Sequence, residues 1–436
     1  MTTPFSLGYF SFFGPPSWQA SDDRLNGGDW WTGEHHLKTA QRLEAAHFDY
    51  IFYEDTLGIP RDADGSMNSA LKYGISAPSH DPLTLIPLLA HGTSDIGLIV
   101  TASTSFYSPF MLARLFSTLD SMSNGRVGWN IVTSAEKNAA QNFGLEDMPP
   151  HDERYDNADE FVEVTKKLWN AWGEGSLVRD VETNTYVDSS KVSSVDHVGE
   201  RFSVKGPLNT LRSPQVTPLL VQAGASDRGK TFAASHAELI FSPILESAEA
   251  MKALRDDIRQ RAKDQGRNPD DIKVVFASVL RFFDEEWDLS QGFPLTDDQE
   301  EGMIAWASQT LDTDFAQFDL DVPLPLDTPS AGHTSMFDVV LMLSSFGMSL
   351  RDSLLALRYG VGDMSFFGTP EQIADKMEAF IDAVGGDGLM IIGAQEETEE
   401  YMDKLTNQLV PILKARGVVR ESYDGKTLRG NLWPSA

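Results

Sequence analysis

The chain contains no cysteine among its 436 residues. That absence excludes disulfides, iron–sulfur clusters, thiolate zinc sites and cysteine nucleophiles, because each of these needs a thiol side chain. No apolar run approaches the roughly 20 residues that a membrane-spanning helix requires. The amino terminus also lacks the basic segment that opens a signal peptide. We therefore expect a cytoplasmic protein with no membrane span.

Basic residues are scarce as well. Lysine and arginine number 35 against 65 aspartates and glutamates, for a formal net charge of −30. This charge argues against nucleic acid, anionic membrane surfaces and polyanionic substrates as partners. The sequence has no G-x-G-x-x-G turn, so no motif indicates a built-in NAD(P)H site. No metal site is predicted either.

Short apolar runs alternate with amphipathic stretches along the chain. Hydrophobic residues make up 41% of the sequence, which is enough for a large core. Helical spacing of apolar residues follows most of the apolar runs. This series of strand–helix repeats predicts an α/β fold, a single (β/α)8 TIM barrel over residues 1–436. The eight predicted strands are Phe5–Phe13, Phe48–Glu54, Asp95–Ser103, Arg126–Val132, Pro218–Gln222, Glu238–Phe241, Ile272–Phe283 and Asp387–Ile392.

Two segments interrupt this alternation. Residues 173–213 form a polar excursion after the fourth strand, and residues 284–368 form a longer insertion after the seventh. Insertions of this length inside a compact domain are usually functional, so we expect residues 284–368 to act as a lid. The helix that follows is predicted to begin with Thr369 as its N-cap and Pro370 in its first turn.

Polar side chains gather at the carboxyl ends of three predicted strands. Asp55 follows the second strand, Thr101 lies near the end of the third, and Asn130 and Ser134 end the fourth. Barrels of this class keep their active sites at this end, so all four are candidate ligand contacts. Ordinary roles also remain open: a turn cap for Asp55, a β-branched strand residue for Thr101, and a plain core strand with a polar loop for the others.

Gly224–Thr231 matches the P-loop pattern of glycine, four residues, then Gly-Lys-Thr. An ATPase is disfavoured, because Asp227 brings a negative charge close to the phosphates and the next strand lacks a magnesium-binding aspartate. Backbone N–H groups at a helix start nevertheless attract the phosphate of any nucleotide. Ala225 and Ser226 lie in this turn and are candidate cofactor contacts.

His151 and Tyr155 form a second phosphate candidate. They lie just before a predicted helix over Asp156–Trp172, and their spacing of four residues lets both side chains face one way. Taken alone the pair is a weak indication, since a surface histidine near a helix start is common.

Aromatic residues crowd the first strand and its loop, and two more close the seventh strand. Phe12, Trp18 and Phe282 are the candidate lining of a substrate pocket. Packing in the core is the usual fate of a single ring, but a loop rich in proline and tryptophan also suits a flat apolar substrate.

Together these candidate residues and the sequence around them resemble the nitrilotriacetate monooxygenase and dibenzothiophene-sulfone monooxygenase group of the bacterial-luciferase-like flavin monooxygenases. The resemblance runs from Phe5 to Leu432, although Trp18-Gln-Ala20 departs from the family pattern and leaves the substrate side unassigned. The matching blocks are Asp49–Asp55, Ser123–Gly144, Arg154–Phe161, Lys205–Asn209, Gln222–Ser226, Gly368–Ala374, Val410–Leu413 and Tyr423–Arg429.

The resemblance implies that Asp55 and Thr101 touch the ring system of flavin mononucleotide (FMN). It implies that His151, Tyr155 and Ser226 hold the FMN phosphate, and that Asn130, Ser134 and Ala225 belong to the same cofactor site. The implied partner is a separate NAD(P)H-dependent flavin reductase that supplies FMNH2. Related barrels usually assemble as homodimers or homotetramers, and by that analogy we expect a homo-oligomer.

The implied reaction is a monooxygenation in which FMNH2 and O2 form a C4a-peroxyflavin. The substrate would be a small apolar or aromatic molecule, such as a halogenated or sulfur-containing xenobiotic. Two alternatives stay open at this point: an NTPase that uses Gly224–Thr231, and a flavin-binding protein without catalytic activity.

Overall fold

Eight parallel strands close into a barrel in the computed structural model of the chain. The structure describes residues 4–15, 29–61, 65–224, 226–242, 247–286, 297–311, 313–329, 334–359, 365–393 and 397–434. The candidate residues Trp18 and Ala225 lie outside this part of the chain.

The described residues form strands and helices that alternate along most of the sequence. The strands are β1 Ser6–Phe12, β2 Tyr50–Glu54, β3 Gly97–Ser103, β4 Val127–Val132, β5 Leu177–Asp180, β6 Thr185–Val187, β7 His197–Val198, β8 Ser203–Val204, β9 Leu219–Gln222, β10 Leu239–Ser242, β11 Lys273–Phe282, β12 Ser365–Gly368 and β13 Gly388–Ile392. The helices are α1 Glu34–Ala45, α2 Asn68–Tyr73, α3 Pro82–Gly92, α4 Pro109–Met122, α5 Lys137–Asn142, α6 His151–Asn170, α7 Asp227–His236, α8 Ala248–Asp264, α9 Asp297–Thr310, α10 Thr334–Ser345, α11 Leu350–Tyr359, α12 Pro370–Val384, α13 Glu399–Asp403, α14 Val410–Ala415 and α15 Leu428–Leu432, with a π-helical segment at Lys404–Leu409.

The strand order around the barrel is β1, β2, β3, β4, β9, β10, β11 and β13, and β13 pairs again with β1. Every neighbouring pair is parallel, so all carboxyl ends meet at one rim. The predicted TIM barrel is therefore confirmed. All eight predicted strands are present, with bounds that differ by at most two residues. The predicted capping of α12 by Thr369 is also present, as a complete capping box with Gln372.

One part of the sequence interpretation needs correction, and two gain detail. The helix predicted over Asp156–Trp172 begins at His151, because Pro150 precedes it and Asp152 and Glu153 fill its first turn. The polar excursion contains two short antiparallel pairs, β5–β6 and β7–β8. Within the range predicted to be an insertion, β12 pairs with the carboxyl end of β11.

The amino-terminal end of the barrel is plugged by the C-terminal segment. Leu428 and Leu432 of α15 join the apolar cluster that fills the barrel interior. Arg429 pairs with Glu238, which immediately precedes β10, with 2.6 Å between Nε and Oε1. Because the described residues fill this end, we expect a ligand to enter from the carboxyl-terminal rim.

The helices between β11 and β12 carry an apolar cluster of their own. Phe315, Phe337 and Leu354 are fully buried there, and the cluster meets the barrel through Val279 of β11 and Phe367 of β12. That this segment acts as a lid stays a prediction. Among the described residues, no helix is both long and apolar enough to cross a membrane.

Candidate functional site

Thr101 and Asn130 lie side by side on β3 and β4. The strand register pairs them, and they share the inward-facing side with Ile99, a member of the interior cluster. Asn130 Nδ2 donates a hydrogen bond of 2.9 Å to Thr101 Oγ1, and Thr101 Oγ1 donates one of 2.9 Å to the Tyr53 carbonyl. Asn130 Oδ1 is buried without a hydrogen-bond partner in the part of the chain described. Such an acceptor is costly unless a ligand supplies the donor.

Ser134 follows β4 with a left-handed backbone, at φ +51°. Its Oγ donates a hydrogen bond of 2.9 Å to Oγ of Ser103 at the end of β3. The structure therefore brings Thr101, Asn130 and Ser134 to one sector of the rim.

His151, Tyr155 and Ser226 converge at the start of α7. Ser226 is the N-cap of that helix and accepts a hydrogen bond of 3.0 Å from the Gly229 backbone N–H. His151 Nε2 lies 3.2 Å from Ser226 Oγ, and the His151 and Tyr155 rings are 5.0 Å apart between centroids. Burial raises the pKa of Tyr155, although its hydrogen bonds with Ser226 and Gln222 act in the opposite direction. The phenol therefore keeps its proton near neutral pH and can donate it in a hydrogen bond.

Two glycines let the backbone approach these hydroxyl groups closely. A Cβ atom on Gly229 would lie 2.9 Å from Tyr155 Oη and 3.0 Å from Ser226 Oγ. A Cβ atom on Gly224 would also lie 2.9 Å from Tyr155 Oη. Hydroxyl groups around a helix N-terminus with no side chain between them suit an anion such as a phosphate.

Arg154 and Gln222 adjoin this cradle and were not singled out from the sequence. Arg154 Nε and Nη1 are buried with no hydrogen-bond partner among the described residues, and the same holds for Gln222 Oε1. Burial lowers the pKa of Arg154, while Tyr155 and Glu136 act against that shift. Two unpaired, buried guanidinium nitrogens beside the cradle are a second feature that suits an anion. Its position inside the block Arg154–Phe161 was the available signal, but its lack of a partner is visible only in three dimensions.

Asp55 and Glu54 add two carboxyl groups at the end of β2. Burial raises the pKa of Asp55 to about 7, and the charges of Asp81 and Glu54 add to the shift. Burial likewise raises the pKa of Glu54 to about 7, with a contribution from Glu136. Glu54 shares the inward-facing side of β2 with Phe52, an interior residue. The rim therefore holds two carboxyl groups that bind protons near neutral pH.

These shifts predict a pH-dependent gain in stability for Glu54→Gln. The folded chain binds a proton at Glu54 up to about pH 7, whereas the unfolded chain releases it near the ordinary value of 4.5. Stability is therefore lost as the pH rises through that window. At pH 8, E54Q should unfold with a free energy about 1–3 kcal/mol higher than the wild type. At pH 4 the two proteins should be equal.

Thermal or urea unfolding at both pH values measures this difference. Glu174→Gln is the matched control, since Glu174 is exposed and is not among the groups that shift the pKa of Glu54, so it should leave the stability difference near zero. Equal stability of E54Q and wild type at pH 8 would show that Glu54 ionises in the ordinary range.

The candidate substrate residues lie in different layers. Phe12 lies two residues after Phe10 on β1 and therefore on the same face of the strand. The Phe10 ring stacks on the Phe52 ring in the barrel interior, with 5.4 Å between ring centroids. Phe282 instead packs with the outer core between strands and helices, 5.4 Å from the Tyr401 ring. The structure thus brings Phe12 to the interior aromatic side and does not bring Phe282 there. Phe10, Phe52 and Phe241 are the interior rings that the sequence interpretation did not place together.

The P-loop interpretation depends on Lys230 reaching a phosphate. Lys230 Nζ instead pairs with Asp257 Oδ2 of α8 at 2.8 Å, and the side chain is thereby directed toward a neighbouring helix. Among the described residues, no group of three or more histidine, cysteine, aspartate or glutamate side chains could hold a metal ion.

The fold and the site define a class: an α/β barrel whose rim combines an anion cradle with an interior polar pair. The cradle suits the phosphate of FMN, and the unpaired Asn130 Oδ1 suits a donor on its ring system. The cradle and the polar pair lie on adjoining strands. Asn130 on β4 pairs with Val221 of β9, and Val221 is the residue before Gln222.

Comparison with known proteins also indicates a flavin-binding barrel enzyme. The family model described as luciferase-like monooxygenase matches residues 6–307. Nitrilotriacetate monooxygenase component A from Aminobacter aminovorans is 34% identical over 407 residues, which cover 92% of this chain and 89% of that protein. Dibenzothiophene-sulfone monooxygenase from Rhodococcus erythropolis is 35% identical over 417 residues, covering 93% and 90%. The crystal structure of a long-chain alkane monooxygenase aligns with a TM-score of 0.85 at 31% identity, over 99% of this chain and 96% of that one.

The chain belongs to the luciferase-like monooxygenase family, and it is a flavin-dependent monooxygenase that uses reduced flavin with O2. The resemblance to the nitrilotriacetate and dibenzothiophene-sulfone monooxygenase group is confirmed.

Proposed function

We propose that the chain is the oxygenase component of a two-component system. It takes reduced FMN from a separate NAD(P)H-dependent flavin reductase and oxygenates a small apolar or aromatic molecule. The observation that carries the proposal is the cradle formed by His151, Tyr155 and Ser226 next to the Thr101–Asn130 pair. The sequence has no dinucleotide turn of its own, and one relative is named as a component A. Both facts favour reduction of the flavin elsewhere.

Each residue of the site has a defined task in this proposal. Tyr155 and Ser226 donate hydrogen bonds to the phosphate, and the start of α7 adds backbone N–H groups. Arg154 supplies positive charge beside them. Asn130 Oδ1 accepts a hydrogen bond from the ring system, and Thr101 fixes the orientation of the Asn130 amide. When bound, reduced FMN supplies the electrons that activate O2, and the protein contributes binding, orientation and exclusion of water.

The substrate class follows from the interior aromatic rings. Phe10 stacks on Phe52 at 5.4 Å and lies 6.0 Å from Phe241 between ring centroids. Such a wall favours a flat apolar molecule, including aromatic, halogenated or sulfur-containing compounds. Residues 284–368 are proposed as the lid that keeps water out, and assembly as a homo-oligomer stays part of the proposal.

A test that needs no natural substrate is the reaction of the bound reduced flavin with O2. The complex of the protein with photoreduced FMN is mixed with O2, and the return of oxidised FMN is followed by its absorbance. Protection from water should delay that return by about 10-fold or more relative to free FMNH2. Incorporation of one 18O atom per product molecule, across a panel of aromatic compounds with a flavin reductase present, then identifies substrates.

The variants S226A and Y155F should lose the delay, because they release the flavin. Lys230→Ala is the control: it should keep the delay, since Lys230 pairs with Asp257 away from the cradle. Oxidation at the free-flavin rate in the wild type would contradict the proposal and favour a flavin-binding protein without catalysis.

A further inference from the structure

Arg228 connects the two helices that form the cradle. It is the second residue of α7, and its Nη2 donates hydrogen bonds to Asp156 Oδ1 at 2.9 Å and to Asp159 Oδ2 at 2.5 Å, both on α6. Its Cζ also lies 5.6 Å from the centroid of the Tyr155 ring. One side chain of α7 thus contacts three residues of α6, including the residue whose hydroxyl group faces Ser226.

The position of α6 relative to α7 determines the shape of the cradle. Tyr155 is on α6 and Ser226 caps α7, so any shift between the helices changes the separation of their hydroxyl groups. Asp159 also accepts a hydrogen bond from His236 in the last turn of α7, with 2.7 Å between His236 Nε2 and Asp159 Oδ1. The two helices are therefore joined at both ends of α7 through one aspartate.

Arg228 is directed toward α6 rather than toward the phosphate space. Burial disfavours its charge, but the hydrogen bonds to Asp159 and Asp156 raise the pKa of Arg228 above its usual value. Its positive charge is matched by these two carboxylates. Its contact with Tyr155 is with the ring face, where a guanidinium packs favourably.

We propose that Arg228 is a positioning residue for the flavin phosphate, acting by holding the Tyr155 phenol at the mouth of α7. The inference rests on the proposed role of the cradle. Arg228 sets the distance across the cradle without binding the phosphate. Its contribution to flavin affinity therefore passes through the hydroxyl group of Tyr155.

A double-mutant cycle tests this relation. FMN dissociation constants are measured by flavin fluorescence for the wild type, R228M, Y155F and the double variant. We expect R228M to weaken binding about 10-fold in the wild-type background and less than about twofold in the Y155F background. R228K should recover part of the loss, because it keeps a donor toward Asp156 and Asp159 but not the planar fork.

Lys230→Met is the matched control, since it removes an equal charge from the same helix at a side chain paired with Asp257. A loss below about twofold for K230M excludes simple long-range attraction. Additive losses in the cycle, or equal losses for K230M and R228M, would overturn the inference. If Y155F alone binds FMN as the wild type does, the proposed cradle fails instead, so the two failures are distinct.

Discussion

Replacing Gly229 with alanine is expected to weaken FMN binding by about 30-fold or more while leaving the barrel folded. The added Cβ atom would lie 2.9 Å from Tyr155 Oη, 3.0 Å from Ser226 Oγ and 3.2 Å from the Gly224 Cα atom. One of these atoms belongs to a rigid ring and another to the backbone, so the methyl group must displace the hydroxyl groups that form the cradle. On helix propensity alone, alanine would stabilise α7 by about 0.5–1 kcal/mol.

Glycine is the worse helix former at this position, so its presence favours a role in which the two hydroxyl groups lie close to the helix backbone. Isothermal titration with FMN and thermal unfolding measure the two effects separately. Gly302→Ala is the matched control, because Gly302 lies in α9 and its Cβ atom would make only an ordinary contact of 3.5 Å with Tyr73. That control should bind FMN normally. Unchanged FMN affinity in G229A would show that FMN binding does not depend on the positions of the Tyr155 and Ser226 hydroxyl groups.

The barrel could be predicted because its signal is repeated and local. Each interior strand is a short apolar run bounded by turn residues, and a shift of one or two residues at an end leaves the alternation intact. By contrast, β12 was missed. It has four residues, pairs with the end of β11, and is too short to show a period.

The early start of α6 has a signal in the sequence. Pro150 immediately before the helix, with Asp152 and Glu153 in its first turn, is a typical start signal. The buried spacing of the helix is the weaker guide to its start, because it begins only at Tyr155. The π-helical segment Lys404–Leu409 has no comparable sequence signal.

The site residues also fall into two groups, those that the sequence predicts and those that only the structure shows. Asp55, Thr101, His151, Tyr155 and Ser226 were assigned through the family resemblance, and the structure brings His151, Tyr155 and Ser226 together at one corner. Arg154, Gln222 and the close contacts around Gly229 could not be assigned in advance. Whether a buried nitrogen lacks a partner, or a Cβ atom has room, depends on residues far apart in the sequence.

The second large effect concerns the hydroxyl groups themselves. Tyr155→Phe combined with Ser226→Ala removes two donors to the proposed phosphate and leaves the rings and the helix in place. A hydrogen bond to a charged group contributes about 1.5–3 kcal/mol, so the double variant should lose about 100-fold or more in FMN affinity. The N-cap bond from Gly229 to Ser226 is lost as well, at a cost of about 1 kcal/mol in stability.

The affinity ratio between FMN and riboflavin, measured in the wild type and in this double variant, tests the central claim most directly. The two ligands share the ring system and differ only in the phosphate. We predict that the wild type binds FMN at least about 100-fold more tightly than riboflavin, and that this ratio falls by about 100-fold in the variant while riboflavin affinity changes little. A wild type that binds both flavins equally, or a variant that loses both to the same extent, would contradict the account.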